Sequence, residues 1–226
     1  EGTNKLKRWT NKVDREAILT PAEESNAPTA NATLNGLNAI GFDSLDQIPK
    51  QLFASKQGTN WNPMGENGAA SGKLYDGSLY MIFRSDKSAN SYFPFNFGWG
   101  GHFPWENNKI FWGFSDQRRE TFLANNGDEL MVGFEFSTTT GNQVFYRNGN
   151  PVLTGPRTAP TNIGGPFFFP HGHGGSHIPE WTVGEMVVVR GVVQRDDHQR
   201  IEGYLAHKWG LADQLPTTHA YSPAGA

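Results

Sequence analysis

The sequence predicts an all-β antiparallel sandwich with one short helix near its C-terminus. Its 226 residues include 27 glycines and 14 prolines, with 13% aromatic and only 18% charged residues. That mixture is typical of many short strands joined by turns. Several segments alternate apolar and polar residues with period two, whereas one late segment shows a helical period. A chain of this length can bury roughly 70% of its unfolded surface, so we predict a single domain over residues 1–226.

The elements follow from these patterns in chain order. Residues 1–30 are polar and interrupted by prolines, which predicts an irregular N-terminal wrap anchored by Trp9 and Leu19. The apolar run at 78–84 is nearly continuous, which indicates a central strand. Strands are predicted at residues 37–42, 51–54, 78–84, 92–99, 109–115, 129–137, 142–147, 151–153 and 186–193. Asn148 and Gly149 lie between two of these strands and predict a two-residue type I′ hairpin turn.

Residues 196–221 predict a helix followed by a tail. Four apolar residues recur at i, i+3, i+4 and i+8 and define the predicted buried face of the helix: Ile201, Tyr204, Leu205 and Trp209. Glu202 falls off that face. Gly210 suits the left-handed residue that ends a helix, and Leu211 can then fold back on the last turn. Pro216 prevents the helix from continuing.

This tail also carries a family resemblance. The sequence reads IEGYLA at 201–206, KWGL at 208–211 and LP at 215–216, followed by His219 and Tyr221. It resembles the end of laminin-G-like, concanavalin A-like lectin/glucanase domains, which are jelly-roll modules of bacterial surface proteins and phage structural proteins. Weaker similarities at residues 9–12, 35–43, 144–149 and 163–165 extend the resemblance over nearly the whole chain.

The start of the helix departs from that family pattern. The family has Ser followed by Glu three residues later, and Gln194 and Asp197 stand in those positions here. This is a weaker capping box. Asp196 is the alternative cap, and it would move the start of the helix by two residues.

The resemblance implies a non-catalytic recognition module that binds carbohydrate or a surface protein and serves in adhesion. It implies an extracellular, cell-surface or virion location, within a larger assembly. Two alternatives stay open, a structural interaction subunit of a virion, fibre or filament and a polysaccharide-active enzyme. Some laminin-G-like relatives use Ca²⁺, for which Asp43 and Asp46 are candidate ligands.

Glycine-rich segments with aromatic and imidazole side chains provide the candidate ligand-binding residues. His102 and Trp105 are predicted to lie in a loop, where an indole can stack on a sugar and an imidazole can bond to its hydroxyls. Trp99 precedes them. Core packing is the alternative for Trp99, because it lies on the same face of the predicted strand as the phenylalanines before it. Arg118 and Arg119 form a pair that can hold an acidic sugar, or alternatively a solvated turn.

A second such segment runs from His171 to His177. His171, His173 and His177 have spacings at which imidazoles can bind Zn²⁺ or Cu²⁺, although no further ligand completes the set. The alternative is an exposed glycine-rich loop. We predict that this segment lies beside the loop of His102 and Trp105, so that together they form one shallow recognition surface.

Other functional classes are disfavoured. The net charge is −3, and the sequence has no basic cluster of the size that nucleic-acid binding requires. It has no apolar stretch of transmembrane length and no cysteine. Glycanases of this fold carry paired carboxylates on one strand, whereas Glu129 and Glu135 have no aspartate between them. We therefore expect a protein that is not an enzyme.

Overall fold

A computed structural model of the protein describes residues 4–21, 23–42, 52–63, 72–73, 75–86, 101–105, 109–112, 118–121, 127–137, 140–156, 162–163, 168–169 and 180–223. These residues form seventeen strands: β1 (Trp9–Thr10), β2 (Ala17–Pro21), β3 (Thr29–Leu34), β4 (Leu37–Phe42), β5 (Leu52–Lys56), β6 (Thr59–Asn60), β7 (Gly72–Lys73), β8 (Gly77–Ser85), β9 (Gly101–Trp105), β10 (Lys109–Trp112), β11 (Arg118–Thr121), β12 (Glu129–Phe136), β13 (Asn142–Arg147), β14 (Asn150–Pro156), β15 (Asn162–Ile163), β16 (Phe168–Phe169) and β17 (Trp181–Arg190). Helix α1 (Arg195–Lys208) follows β17, and 3₁₀ turns occupy Glu24–Asn26 and Ala212–Gln214. Within the described ranges, no helix is long and apolar enough to cross a membrane.

Two large antiparallel sheets build the sandwich. The first has seven strands in the order β14-β13-β12-β8-β17-β4-β3. The second has the order β1-β2-β5-β16, and β6 pairs with β5 at its side. Two smaller sheets are β11-β10-β9 and the pair β15-β7. The predicted fold class, an antiparallel β-sandwich with one short C-terminal helix, is confirmed.

The seven-stranded sheet is covered on both faces. Its inner face carries Leu79, Met81 and Phe83 of β8 into the sandwich core, where Leu52 of the second sheet joins them. Its outer face carries Tyr80, Ile82 and Met131, which form a second core with residues of α1 and its C-terminal end: Leu205, Ala206 and Trp209. Alternating residues of β8 therefore enter two different cores, which explains its nearly continuous apolar sequence.

The N-terminal segment differs from the irregular wrap that the sequence predicts. It contains β1, β2 and the start of β3 within residues 1–30. β2 pairs with β5, so that Leu19 lies opposite Ala54. This pairing joins segments more than 30 residues apart, and local sequence does not reveal it. Trp9 and Leu19 do pack against the core as the predicted anchors.

The Asn148–Gly149 turn is confirmed. Both residues have positive φ, 47° and 81°, and Arg147 pairs directly with Asn150. The Asn148 side chain also ties the turn to its surroundings, because its Oδ1 accepts a hydrogen bond from the Met131 amide at 2.8 Å. Its Nδ2 donates to Gln214 at 2.6 Å. The turn is thus anchored to both β12 and the tail.

Helix α1 begins without a side-chain cap and ends at a left-handed glycine. The helix begins at Arg195 with Gln194 at the cap position, and no side chain caps it. The alternative, in which Asp196 is the cap and the helix starts two residues later, is therefore wrong. At the other end, Gly210 has φ +68° and the Leu211 amide donates to the Ala206 carbonyl at 2.8 Å. This reversal confirms the predicted C-terminal glycine.

The buried face of α1 is rotated from the predicted one. Tyr204, predicted to be buried, is 50% exposed, whereas Glu202, predicted to lie off the buried face, is 1% exposed. The tail causes the difference by covering a second side of the helix. His219 contacts Glu202, and Tyr221 packs so closely over Gly203 that an added Cβ would lie 2.6 Å from it. An apolar pattern does not identify buried polar residues that are paired.

Glu185 fixes the C-terminal end of α1 to β17. Its carboxylate accepts hydrogen bonds from Lys208 Nζ at 2.6 Å, Trp209 Nε1 at 3.1 Å and Lys12 Nζ at 3.2 Å. Burial alone would raise the pKa of Glu185, but these donors outweigh it and lower the pKa from 4.5 to about 2. Glu185 is therefore ionised throughout the range in which an ordinary glutamate becomes protonated.

We expect Glu185→Gln to lower the free energy of unfolding at pH 7 by about 1–3 kcal/mol, since charge-assisted hydrogen bonds are lost. Because the folded-state pKa is depressed, the carboxylate stabilises the fold above pH 4.5 and loses that effect as the pH falls toward 2. The variant should therefore lose stability less steeply across this window. Urea unfolding between pH 2 and 7 measures both effects, with exposed Glu23→Gln as control. Parallel stability curves for variant and parent would contradict the assignment.

Candidate functional site

A cleft of about 480 Å³ opens on the outer face of the seven-stranded sheet. It lies between α1, the Asn148–Gly149 turn and the tail after Pro216. The side chains with hydrogen-bonding or charged groups that line it include Glu135, Tyr146, Arg195, His198, Glu202 and His219. We call this space the helix-side cleft.

The sheet positions two tyrosines beneath α1. Tyr80 of β8 and Tyr146 of β13 both lie opposite Gly133 of β12. A Cβ on Gly133 would lie 3.2 Å from Tyr146 Cβ and 3.3 Å from Tyr80 Cδ1. Glycine at this position therefore leaves room for both rings. Tyr80 is fully buried, and half-buried Tyr146 forms part of the cleft wall.

His198 lies between these two rings. Tyr80 Oη is 2.7 Å from His198 Nδ1, and the Tyr146 ring centroid is 4.2 Å from that of His198. His198 Nε2 lies 3.2 Å from Glu202 Oε2, one helical turn away. The approach is not aligned for a hydrogen bond, so Nε2 has no such partner among the described residues. The imidazole is thus held in position while one nitrogen stays available.

Glu202 connects the helix to the tail. His219 Nε2 is 3.3 Å from Glu202 Oε2, and His219 Nδ1 accepts the Tyr221 amide at 3.2 Å. Because Nδ1 accepts, the proton of His219 lies on Nε2, which donates to the carboxylate. The other oxygen of Glu202, Oε1, is buried and has no hydrogen-bond partner within the described part of the chain.

Two carboxylates, Glu135 and Glu202, and one guanidinium, Arg195, line the cleft. Burial raises the pKa of both Tyr80 and Tyr146 well above the ordinary value. Charge repulsion adds to this effect, chiefly from Glu202 at Tyr80 and from Glu135 at Tyr146. Both phenols are therefore neutral, and the carboxylates favour hydrogen-bond donors over anions in the cleft.

The three-stranded sheet contains four of the sequence-predicted ligand residues. His102 and Trp105 lie on β9, and Arg118 and Arg119 lie on β11. Phe111 of β10 pairs with His102 on one side and with Arg119 on the other, so these three residues occupy one row across the sheet. The prediction that His102 and Trp105 lie in a loop is wrong. Gly101 and Pro104 suggested a loop, but the segment pairs with β10.

The other predicted site residues lie outside the described residues: Trp99, His171, His173, His177, Asp43 and Asp46. The composite surface of the two glycine-rich segments and the Ca²⁺ site therefore stay predictions. In the ranges that the structure describes, no group of three His, Cys, Asp or Glu side chains is arranged to hold a metal ion.

Sequence reasoning missed the helix-side cleft. One sequence pattern pointed to the cleft: His198 and Glu202 are four residues apart and so lie on one face of a helix. A second was the occurrence of Glu202 and His219 in the tail motif. Neither signal reveals that Tyr146, some 50 residues earlier, packs against the same histidine.

No protein-family model matches the sequence, and no curated protein is similar to it. Solved structures with a similar fold include the binding domain of botulinum neurotoxin serotype G, with a TM-score of 0.58 and 10% identity over 92% of this chain and 54% of that one. The binding domain of Paraclostridial mosquitocidal protein 1 has a TM-score of 0.58 and 8% identity, over 89% of this chain and 52% of that one. The ligand-binding domain of botulinum neurotoxin serotype D, in complex with N-acetylneuraminic acid, has a TM-score of 0.53 and 10% identity. The match covers 88% of this chain and 50% of that one.

The chain therefore spans about half the length of the binding domains that it resembles. At such low identity the likeness establishes the fold alone, a β-sandwich that these toxin binding domains also have.

Proposed function

We propose that this chain is a non-catalytic recognition module that binds carbohydrate on a cell, matrix or virion surface. The carrying observation is the row that His102, Phe111 and Arg119 form across the three-stranded sheet. Residues of these three types in register on neighbouring strands suit recognition of an acidic sugar, since arginine binds carboxylates bidentately. The fold it shares with toxin binding domains, one of them holding N-acetylneuraminic acid, supports the proposal.

The finer family assignment belongs to this proposal. The tail motif favours a laminin-G-like, concanavalin A-like jelly roll, and modules of that kind are exposed outside cells or on particles. The proposed partners are accordingly a glycan or a surface protein, within a larger assembly. By the same resemblance Ca²⁺ is a candidate cofactor, with Asp43 and Asp46 as its candidate ligands.

A glycan array, run with and without Ca²⁺, tests the proposed function. We expect binding to a restricted set of glycans, with acidic sugars among them. A chain that binds no glycan but binds a surface protein would support the structural alternative and overturn the carbohydrate proposal. Release of reducing ends or of double bonds from mixed polysaccharides would reveal an enzyme instead.

We expect Trp105→Ala and Arg119→Ala each to weaken binding of acidic glycans by about tenfold or more, which corresponds to about 1.4 kcal/mol. Each should leave the free energy of unfolding nearly unchanged. Titration calorimetry and urea unfolding measure the two effects, and Arg8→Ala, an exposed arginine, is the control. A large loss of stability in Trp105→Ala would mean that Trp105 is a core residue.

A further inference from the structure

We infer that the helix-side cleft is a second sugar site, and that it binds the hydroxyl groups of a neutral sugar. The inference rests on the proposed function, since it presumes a chain that binds carbohydrate. It concerns other residues than those of the three-stranded sheet, and a neutral sugar in place of an acidic one. The evidence is a pair of buried polar atoms without hydrogen-bond partners among the described residues, which belong to two residues that line the cleft, Glu202 and His198.

The first of these atoms is Oε1 of Glu202. This residue is 1% exposed, and Oε1 has no hydrogen-bond partner in the described part of the protein. A buried acceptor without a hydrogen-bond partner is destabilising, and more so when it is charged. Glu202 lines the cleft, so a donor that enters the cleft relieves this cost. The site therefore favours ligands that carry a hydrogen-bond donor.

The second atom, His198 Nε2, narrows the ligand class. It is also buried and makes no hydrogen bond within the described residues, although Glu202 Oε2 lies 3.2 Å away. Whether Nε2 donates or accepts depends on the direction of the bond between Tyr80 and Nδ1. If Tyr80 donates, Nε2 carries a proton and donates, and otherwise it accepts. A hydroxyl group both donates and accepts, so it satisfies either state together with Glu202. An ammonium group only donates, and a carboxylate or phosphate only accepts.

Charge and rigidity support a neutral ligand. Two carboxylates, Glu135 and Glu202, line the cleft together with one guanidinium, Arg195, so an acidic sugar meets more like charge than opposite charge there. Half-buried Tyr146 offers a ring wall for the C–H groups of a sugar. The Glu202 carboxylate is held in place by His219 of the tail, and the His198 ring is held in place by Tyr80. Such a preorganised site loses little entropy on binding.

The experiment combines titration calorimetry with histidine-ring NMR on the whole chain. The probes are the methyl glycosides of glucose, galactose, mannose and N-acetylglucosamine, with N-acetylneuraminic acid as the anionic comparison. Thr218→Trp tests the site, because Thr218 is exposed at the cleft wall and a large side chain there blocks entry. Thr217→Trp is the matched control, an exposed neighbour that does not line the cleft. Glu202→Gln tests the acceptor itself.

We expect at least one neutral glycoside to bind and to shift the His198 ring resonances. Thr218→Trp should abolish this binding and Thr217→Trp should retain it. Glu202→Gln should weaken it by about tenfold or more, if thermal melting shows the variant to be folded. If that variant does not fold, Thr218→Trp decides alone.

Three results would overturn the inference. Neutral-glycoside binding that is equal in Thr218→Trp and the parent places the sugar elsewhere, while the proposed function stands. Binding of N-acetylneuraminic acid alone removes the neutral-sugar site and leaves the acidic one. If neither these probes nor the glycan array gives binding, the carbohydrate function fails, and only water occupies the cleft.

Discussion

Trp209→Ala is expected to destabilise the protein by about 3–5 kcal/mol, the range for removing a large buried aromatic side chain. Trp209 is 3% exposed and packs against Gly184 so closely that an added Cβ would lie 2.6 Å from its ring atoms. Its Nε1 also donates to Glu185 at 3.1 Å. The substitution therefore removes both the packing and a hydrogen bond that hold α1 on the sheet. Chemical unfolding monitored by circular dichroism measures the loss.

Two further variants separate these contributions. Trp209→Phe keeps most of the ring but loses the donor, so it should be less harmful than alanine. Gly184→Ala keeps the indole but places a methyl group against it, and we expect a loss of about 1–3 kcal/mol from overpacking. Val192→Ala, at a residue that is 53% exposed, is the control. Unchanged stability in Trp209→Ala would show that the helix is held by other contacts.

Gly149→Val is expected to destabilise the Asn148–Gly149 turn and the tail that packs on it. Gly149 has φ +81°, and a β-branched residue is strongly disfavoured there. A Cβ would also lie 3.1 Å from Pro216 Cδ and 3.2 Å from side-chain atoms of His219 and Leu215. The left-handed backbone costs about 1–2 kcal/mol, and displacement of the tail adds about 1–3 kcal/mol.

Gly36→Val provides the matched control for this prediction. Gly36 follows an asparagine in another two-residue turn with φ +74°, and nothing lies within 4 Å of its Cβ position. Both variants carry the same backbone strain, so the difference between their free energies of unfolding reports the contact of Gly149 with the tail. Equal losses in the two variants would show that this contact contributes nothing.

The sequence predicted those parts of the fold whose determinants are local. The apolar run of β8, the Asn148–Gly149 turn and the end of α1 at Gly210 each depend on residues within one segment. These three features match the structure. Turn geometry and helix termination follow from backbone sterics, which the residue types reveal directly.

The errors arose where distant segments meet. β2 forms only because β5 lies beside it. The buried face of α1 shifts because His219 and the tail cover Glu202. The sequence pattern treated Glu202 as solvent-exposed since a charged residue on a helix usually is. Burial of a paired charge depends on a partner that the local pattern does not contain.

In the candidate sites too, local sequence predicted some features, whereas contacts between distant segments determine the others. The residue types at His102 and Arg119 indicated sugar chemistry, but the sequence did not predict that both pair with Phe111. The helix-side cleft was missed entirely, because its residues come from β12, β13, α1 and the tail. Sites of this kind are defined by tertiary packing, and each contributing residue is unremarkable in its own segment.

The position of β17 has a consequence for how this chain folds during synthesis. β17 pairs with β4 on one side and with β8 on the other, so it joins two parts of the sheet that otherwise do not touch in the strand order. Until residues 181–190 have left the ribosome, the edges of β4 and β8 are unpaired. Such long-range pairing slows folding, and unpaired edges of apolar strands are where nascent chains associate with one another. Helix α1 follows within a few residues, and its docking then covers the outer face of the completed sheet.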